Sequence, residues 1–412
     1  MLIFDLDGTL YRTHETTLPA FEGLCKQYGI SLAEEDKRYL MVTTTRSFLR
    51  RAAPELPEEK QVSFQRELRH RELQAVRERG RLFDHVEEML TSLVQSGEEL
   101  AICGMGSQEY IETVLNHCKI RQYFKYVSYR IGDRTKGEAL RQLLCDADKT
   151  ADQCVLIGDS GTDWNAAKEN RMAFIGVTYG YGFQQVAQAD FLAETVTQLE
   201  SLIHYARIYL RISREIRCLA KPAVVGINGV DTSGKTVFAQ GLERFLRSQG
   251  VLVQTVHLDD FHNPREIRGR DRSPEGYLKY AFDFGALADL LSCGKNSPKT
   301  MTRTLLDLDQ DTYTKEKTFC FTRDTVILVE GVMLFRPPLC HLLDYKVFLQ
   351  IPFEEVLKRA AQRDVPKYGE AFLEQYRQRY IPAQKLYLNE FLPVQQAQLV
   401  VDNTDFSHPV IM

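Results

Sequence analysis

Asp5 and Asp7 stand two residues apart in LIFDLDGTL, where an apolar run gives way to Gly8. Residues i and i+2 of a strand share a face, and a turn directly after the strand lets both carboxylates converge on one pocket. The chemistry that suits them is removal of a phosphoryl group. Asp5 is the candidate nucleophile that forms an aspartyl-phosphate, and Asp7 the acid for the leaving oxygen and then the base for water. A second carboxylate pair, Asp159 and Asp163 in VLIGDSGTD, again closes an apolar run and offers hard oxygen ligands for Mg2+. Asp5 and Asp7 count with them as metal positions. Lys136, in RTKGEALRQLL, opens a helical stretch from which its ammonium can offset the charge of nucleophile and phosphoryl oxygens. Each feature alone also fits a plainer structure, an acidic turn for the aspartates and a solvated surface lysine for Lys136.

A second constellation points to adding a phosphoryl group. GVDTSGKT follows the apolar run AVVGIN and precedes the helical VFAQGLERFLRSQG. This is the setting in which Gly229, Ser233 and Gly234 wrap phosphates with backbone amides, Lys235 reaches the outer phosphates and Thr236 ligates Mg2+. VHLDDFHNP ends a run with Asp259 and Asp260, where a carboxylate can face the terminal phosphate and take a proton from an acceptor hydroxyl, or simply form an acidic turn, and TVILVEG ends with Glu330, placed to hold Mg2+ or its water. Arg359 and Arg363 are one helical turn apart, as lid cations over transferring phosphate or as a surface stripe. His262 and the loop NPREIRGRDRSPEGY are candidates to touch the substrate. Within that loop position 266 is Glu266, so the guanidinium at its head is that of Arg265.

The elements that must carry these residues are strands alternating with helices. LIFDLD, LAICGM, YVSYRI, CVLIGDS and AFIGVT are separated by stretches of helical period, and the rhythm restarts with AVVGIN, LVQTVHLDD, TVILVEG, YKVFLQI and QLVVDN. That alternation predicts an α/β protein with two doubly wound parallel sheets. The expected layout is residues 1–200, with a helical cap over about 12–81, then a connecting helix at 201–220 and a second domain over 221–412. A length of 412 residues, 44% apolar and 26% charged, suits two or three soluble domains. The net charge of −4 argues against nucleic acid as the main partner, and the absence of a long apolar run argues against a membrane. Nine scattered cysteines without a CxxC pair fit a reducing cytoplasm.

The order DxDGT, helix-opening Lys136 and GDxxxD over the first 200 residues resembles the haloacid dehalogenase-like phosphatases. The resemblance implies the roles given above for Asp5, Asp7, Lys136, Asp159 and Asp163. It also implies a Ser or Thr hydroxyl where this chain has Gly104, with Ser107 close by but suited to capping the next helix. GxxxSGKT, DDFH, the strand with EG and RxxxRD resemble the uridine kinase family of P-loop nucleoside kinases over about 221–412. That resemblance implies ATP as phosphoryl donor, Asp259 as base, Glu330 as metal ligand and Asp283 in AFDFGAL as a grip on ribose hydroxyls. His262 stands where that family has Tyr, and the segment around 301–321 does not match it. The expectation is a bifunctional enzyme for a nucleoside and a phosphate monoester, or a nucleoside kinase regulated by a phosphometabolite-binding module.

Overall fold

The computed structural model describes residues 1–41, 45–187, 189 and 191–412. The chain divides into two compact units, Met1–Ile203 and His204–Met412.

The first unit is built on strands β1 (Leu2–Phe4), β2 (Leu100–Cys103), β3 (Phe124–Ser128), β4 (Val155–Gly158), β5 (Ala173–Val177) and β6 (Phe191–Ala193). They form one parallel sheet in the order β3-β2-β1-β4-β5-β6. Strands β1, β2, β4 and β5 are buried throughout, which explains why they read as unbroken apolar runs with no alternation. The strand order reverses between β1 and β4, and the crevice at such a switch point is where an open α/β sheet takes its ligand. Between β1 and β2, ahead of the helix Val86–Gln95 that leads into β2, lie the helices Thr17–Gln27, Glu34–Met41, Thr45–Ala52 and Glu58–Arg79. They close on their own apolar cluster, in which Phe21 meets Phe48 and Phe64 edge-on at 4.8 and 5.4 Å.

The second unit has β7 (Ala223–Gly229), β8 (Val253–His257), a hairpin of β9 (Thr300–Asp307) and β10 (Thr312–Cys320), then β11 (Val326–Gly331), β12 (Tyr345–Gln350), β13 (Leu399–Asp402) and β14 (Val410–Ile411). The main sheet runs β14-β13-β12-β7-β11-β8, parallel except for β14. Its centre, β7, is fully buried and leads through a tight loop into the helix Lys235–Ser248. The division between the units falls within the helix Val196–Cys218, whose Tyr209 packs on Phe238 and Phe245 of the second unit.

Candidate functional sites

In the first unit Asp5 follows β1, its amide extending the pairing to Ile157 O of β4 at 2.8 Å. Asp159 follows β4, and Asp163 lies in the first turn of the helix Gly161–Glu169, where Ser160 caps the amide of Asp163. Ligand oxygens of Asp5, Asp159 and Asp163, all buried, lie within 4.8 Å of one another. Lys136 opens the helix Lys136–Asp146, fixed there by a reciprocal cap between Thr135 and Glu138, and its ammonium pairs with both Asp5 and Asp163. Asp159 Oδ2 accepts from the amides of Tyr181 (2.6 Å) and Gly182 (3.2 Å). Gly8 turns away at φ +77°, and a Cβ there would sit 2.3 Å from Asp159 Oδ2, so only glycine lets the loop close on this carboxylate.

Burial pushes Asp5 up, with Asp163 and Asp159 adding to it against the pull of Lys136. Burial and then Asp163 push Asp159 up to about 7, against its two amide donors. Burial alone would depress Lys136, but Asp163 and Asp5 outweigh it and hold the ammonium charged. Three buried carboxylates against one lysine leave a deficit of positive charge. Hard oxygen donors so gathered fit a divalent cation of the Mg2+ kind. Asp7, expected among the metal positions, is not in that group. Its Oδ1 accepts from Thr13 Oγ1 at 2.6 Å and Tyr110 OH at 2.7 Å, and burial raises its carboxyl in spite of both donors. A carboxyl held this way is suited to carrying a proton rather than a metal.

At Gly104 a side chain could be restored only if its neighbour moved: a Cβ there would meet Ile111 Cδ1, the flexible end of that side chain, at 2.6 Å. Ser107 caps the helix Gln108–His117 through Tyr110 N.

In the second unit the loop after β7 is braced from several sides. Gly234, at φ +88°, begins the helix Lys235–Ser248, and a Cβ on it would strike Phe406 and Asn403. A Cβ on Gly229 would strike Leu349 O and Ser233 Oγ, each at 2.6 Å. Lys235 Nζ donates to Val230 O at 2.8 Å, and Asn403 Nδ2 to Ser233 O at 2.7 Å. Ser233 Oγ is buried without a hydrogen-bond partner among the described residues, a donor available to a phosphate oxygen. Thr236 Oγ1 donates to Glu330 Oε1 (3.2 Å) at the end of β11, and His257 Nδ1 lies 2.7 Å from the same oxygen. Lys235, Thr236, Asp259, Arg359 and Arg363 line one cavity of about 540 Å3.

Several expected residues have other company. Arg359 is 8% exposed and donates to Thr232 O, Asn403 O and Thr404 O while its guanidinium stacks 3.7 Å above the Phe406 ring. That makes it a brace for the loop rather than a swinging cation. Arg363 pairs with Asp364 and donates to Tyr376 OH. His262 and Asp283 line a separate cavity of about 250 Å3 with Asp260, Arg303 and Tyr313. Asp283 Oδ1 is engaged in capping the helix Phe284–Asn296. Arg265 is tied to the turn of the β9–β10 hairpin through Asp311, Leu308 O and Asp309 O, and neither it nor the exposed Glu266 lines either cavity.

One residue escaped the sequence reading, and the part played by another was left open by it. Asp231, inside the phosphate-binding loop, lines the larger cavity and is clamped by Gln384, which accepts from its amide at 2.9 Å and donates to its carboxylate at 2.5 Å. Asp260 is buried between Lys315 (2.7 Å) and Lys317 (2.6 Å) of β10. Burial pushes its carboxyl up, but the two ammonium groups outweigh it and hold it below the ordinary range. The neighbouring DD in the sequence gave no sign of which carboxylate was free.

Residues 2–177 match the haloacid dehalogenase-like hydrolase family, and residues 224–404 match the phosphoribulokinase/uridine kinase family. The chain is a haloacid dehalogenase-like domain followed by a uridine kinase-like one. The hydrolase-like domain is similar to a 5'-nucleotidase of Pseudomonas aeruginosa, 34% identical over 27% of this chain and 51% of the relative. It is also similar to a phosphoglycolate phosphatase of Synechococcus elongatus, 27% identical over 48% of this chain and 94% of the relative. The kinase-like domain is similar to human nicotinamide riboside kinase 1, 28% identical over 35% of this chain and 66% of the relative. The chain thus spans about half of the nucleotidase and about two-thirds of the riboside kinase. Among the described residues no helix is long and apolar enough to cross a membrane.

Proposed function

We propose that the chain is a bifunctional enzyme: a Mg2+-dependent phosphate monoester hydrolase in its first unit and an ATP-dependent nucleoside kinase in its second. The observation that supports this reading is that each unit gathers residues suited to handling a phosphoryl group at the carboxyl ends of its parallel strands. Asp5, Asp7, Lys136, Asp159 and Asp163 are together in the first, and Lys235, Thr236, Asp259 and Glu330 in the second.

In the hydrolase-like unit Asp5 attacks phosphorus, the bond to the leaving oxygen breaks, and Asp7 gives that oxygen its proton. Asp7 then takes a proton from the water that cleaves the aspartyl-phosphate, returning Asp5. Lys136 neutralises Asp5 so that it can approach the anionic ester. Mg2+, held by Asp5, Asp159 and Asp163, would supply charge to the phosphoryl oxygens.

In the kinase-like unit the γ-phosphoryl of ATP is transferred to the hydroxyl of a nucleoside. The loop amides, Ser233 and Lys235 hold the phosphates, and Asp259 takes the acceptor proton. Thr236 and Glu330, already joined by a hydrogen bond, would hold the nucleotide's Mg2+, which would supply positive charge to the phosphate oxygens. Nicotinamide riboside kinase and the uridine kinase family make the 5'-hydroxyl of a nucleoside the acceptor to test first.

The test assays phosphate release and ATP-dependent nucleoside phosphorylation in the intact chain, Asp5→Asn and Lys235→Ala. Asp5→Asn should lose release and keep phosphorylation, and Lys235→Ala should do the reverse. Release that survives Asp5→Asn counts against the hydrolase assignment. A second reading, a kinase governed by a phosphometabolite-binding module, is favoured by one observation, the packing of Ile111 where a Gly104 side chain would stand. It predicts no release from any ester, with nucleoside phosphorylation that responds to added phosphorylated metabolites.

A further inference from the structure

Asp7 takes its two hydrogen bonds on one oxygen. Thr13 Oγ1 donates to Oδ1 at 2.6 Å and Tyr110 OH to the same Oδ1 at 2.7 Å, and among the described residues no donor meets Oδ2. A carboxyl oxygen has two lone pairs, so both of those on Oδ1 are occupied. The proton that Asp7 hands to a leaving oxygen therefore sits on Oδ2. Asp7 is half-buried and so is not sealed from a ligand.

Two features of the chain put the Tyr110 hydroxyl there. The helix Gln108–His117 begins at Ser107, whose Oγ accepts from the Tyr110 amide at 3.3 Å and fixes the tyrosine in the first turn. Gly106 leaves room for the ring: a Cβ on it would stand 2.9 Å from Tyr110 Cδ1. Tyr110 is 8% exposed, and burial raises its phenol well above the ordinary range, so the hydroxyl keeps its proton and acts as a donor. The loop that lacks a hydroxyl at Gly104 thus leads into a helix that supplies one, to the proton-carrying aspartate instead of to the phosphoryl oxygens.

We propose, on the footing of the hydrolase reading, that Tyr110 is a positioning residue for proton delivery: with Thr13 it fills Oδ1 of Asp7 and so confines the transferred proton to Oδ2. As the bond from phosphorus to the leaving oxygen breaks, the Oδ2 proton passes to that oxygen. The electron pair of the O–H bond stays on Asp7, and the two hydroxyls steady the carboxylate that results. An ester whose alkoxide leaves poorly depends on this proton, whereas one whose phenolate leaves readily scarcely needs it.

The experiment measures phosphate release from benzyl phosphate and from p-nitrophenyl phosphate with Mg2+, using the full chain, Tyr110→Phe and Gly106→Ala. Tyr110→Phe keeps the ring and frees a lone pair on Oδ1. It should lower the ratio of kcat/KM for benzyl phosphate to that for p-nitrophenyl phosphate by about tenfold, a fraction of what a positioned acid contributes. Gly106→Ala, which displaces the ring with its hydroxyl still attached, should lower the same ratio. A merely structural role would slow both esters alike. An unchanged ratio in Tyr110→Phe, whether both rates hold or both fall equally, overturns the inference alone. So does release from p-nitrophenyl phosphate only by the unmodified chain, since no proton then reaches a poor leaving group. No release from either ester by the unmodified chain overturns it together with the hydrolase reading.

Discussion

Asp5 and Asp7 are chemically identical side chains set to different tasks by what touches them. Asp5 faces an ammonium and two further carboxylates, whereas Asp7 faces two hydroxyl donors. Gly104 shows the same dependence on neighbours from the opposite direction. Restoring a hydroxyl with Gly104→Ser forces a Cβ against Ile111 Cδ1 at 2.6 Å. Moving the flexible end of Ile111 is a small adjustment, so Gly104→Ser should lower the unfolding midpoint of the first unit only slightly, and a large drop would show that Ile111 cannot move. The strand-end aspartates and Lys136 could be read in the sequence because strand and helix starts fix where such side chains point. Asp231, and the choice between Asp259 and Asp260, could not, because what singles them out is a partner far along the chain, Gln384 for Asp231 and Lys315 with Lys317 for Asp260.

The parallel sheets were legible as elements because burial on both faces leaves continuous apolar runs bounded by Gly and Asp. The β9–β10 hairpin was not, since its burial pattern is mostly exposed and its strands carry charged and threonine residues on both sides. Its place depends on long-range pairs: Lys315 and Lys317 on Asp260, and Asp311 on Arg265 and Arg268. The hairpin also contributes Arg303 and Tyr313 to the smaller cavity, with His262 and Asp283. Asp260→Asn leaves two lysines facing a neutral amide and should loosen this wall. The expected outcome is a rise of roughly tenfold in KM for the acceptor nucleoside with little change in KM for ATP, since the amide keeps the shape while losing charge-assisted bonds of about 1.5–3 kcal/mol in gross strength. Equal rises in both constants would place the hairpin's influence on the nucleotide loop instead.

At the scale of the whole chain, the proposed reading puts two sets of chemistry with opposite products on one polypeptide. Were both to act on the same ester, the sum would be hydrolysis of ATP, so the arrangement makes sense when the phosphatase and kinase substrates differ. Each unit has its own apolar clusters, around Ala139, Leu140 and Leu143 in the first and around Leu287, Phe319 and Phe335 in the second. A non-hydrolysable ATP analogue with Mg2+ should therefore raise the unfolding midpoint that reports the second unit. At a hundredfold excess over Kd the stabilisation is about 2.7 kcal/mol. Calorimetry on Lys235→Ala should show that shift abolished and the transition of the first unit unmoved.

The bonds that surround the nucleotide loop before any nucleotide arrives have a consequence for timing. Lys235 is already tied to Val230, Asn403 to Ser233 and Arg359 to Thr232. A loop so tethered has little disorder left to lose on meeting its ligand, so capture is governed by encounter and by exchange of one internal bond of Lys235 for a phosphate. On the proposed kinase reading, the loop itself then behaves as a fixed receiver rather than a gate.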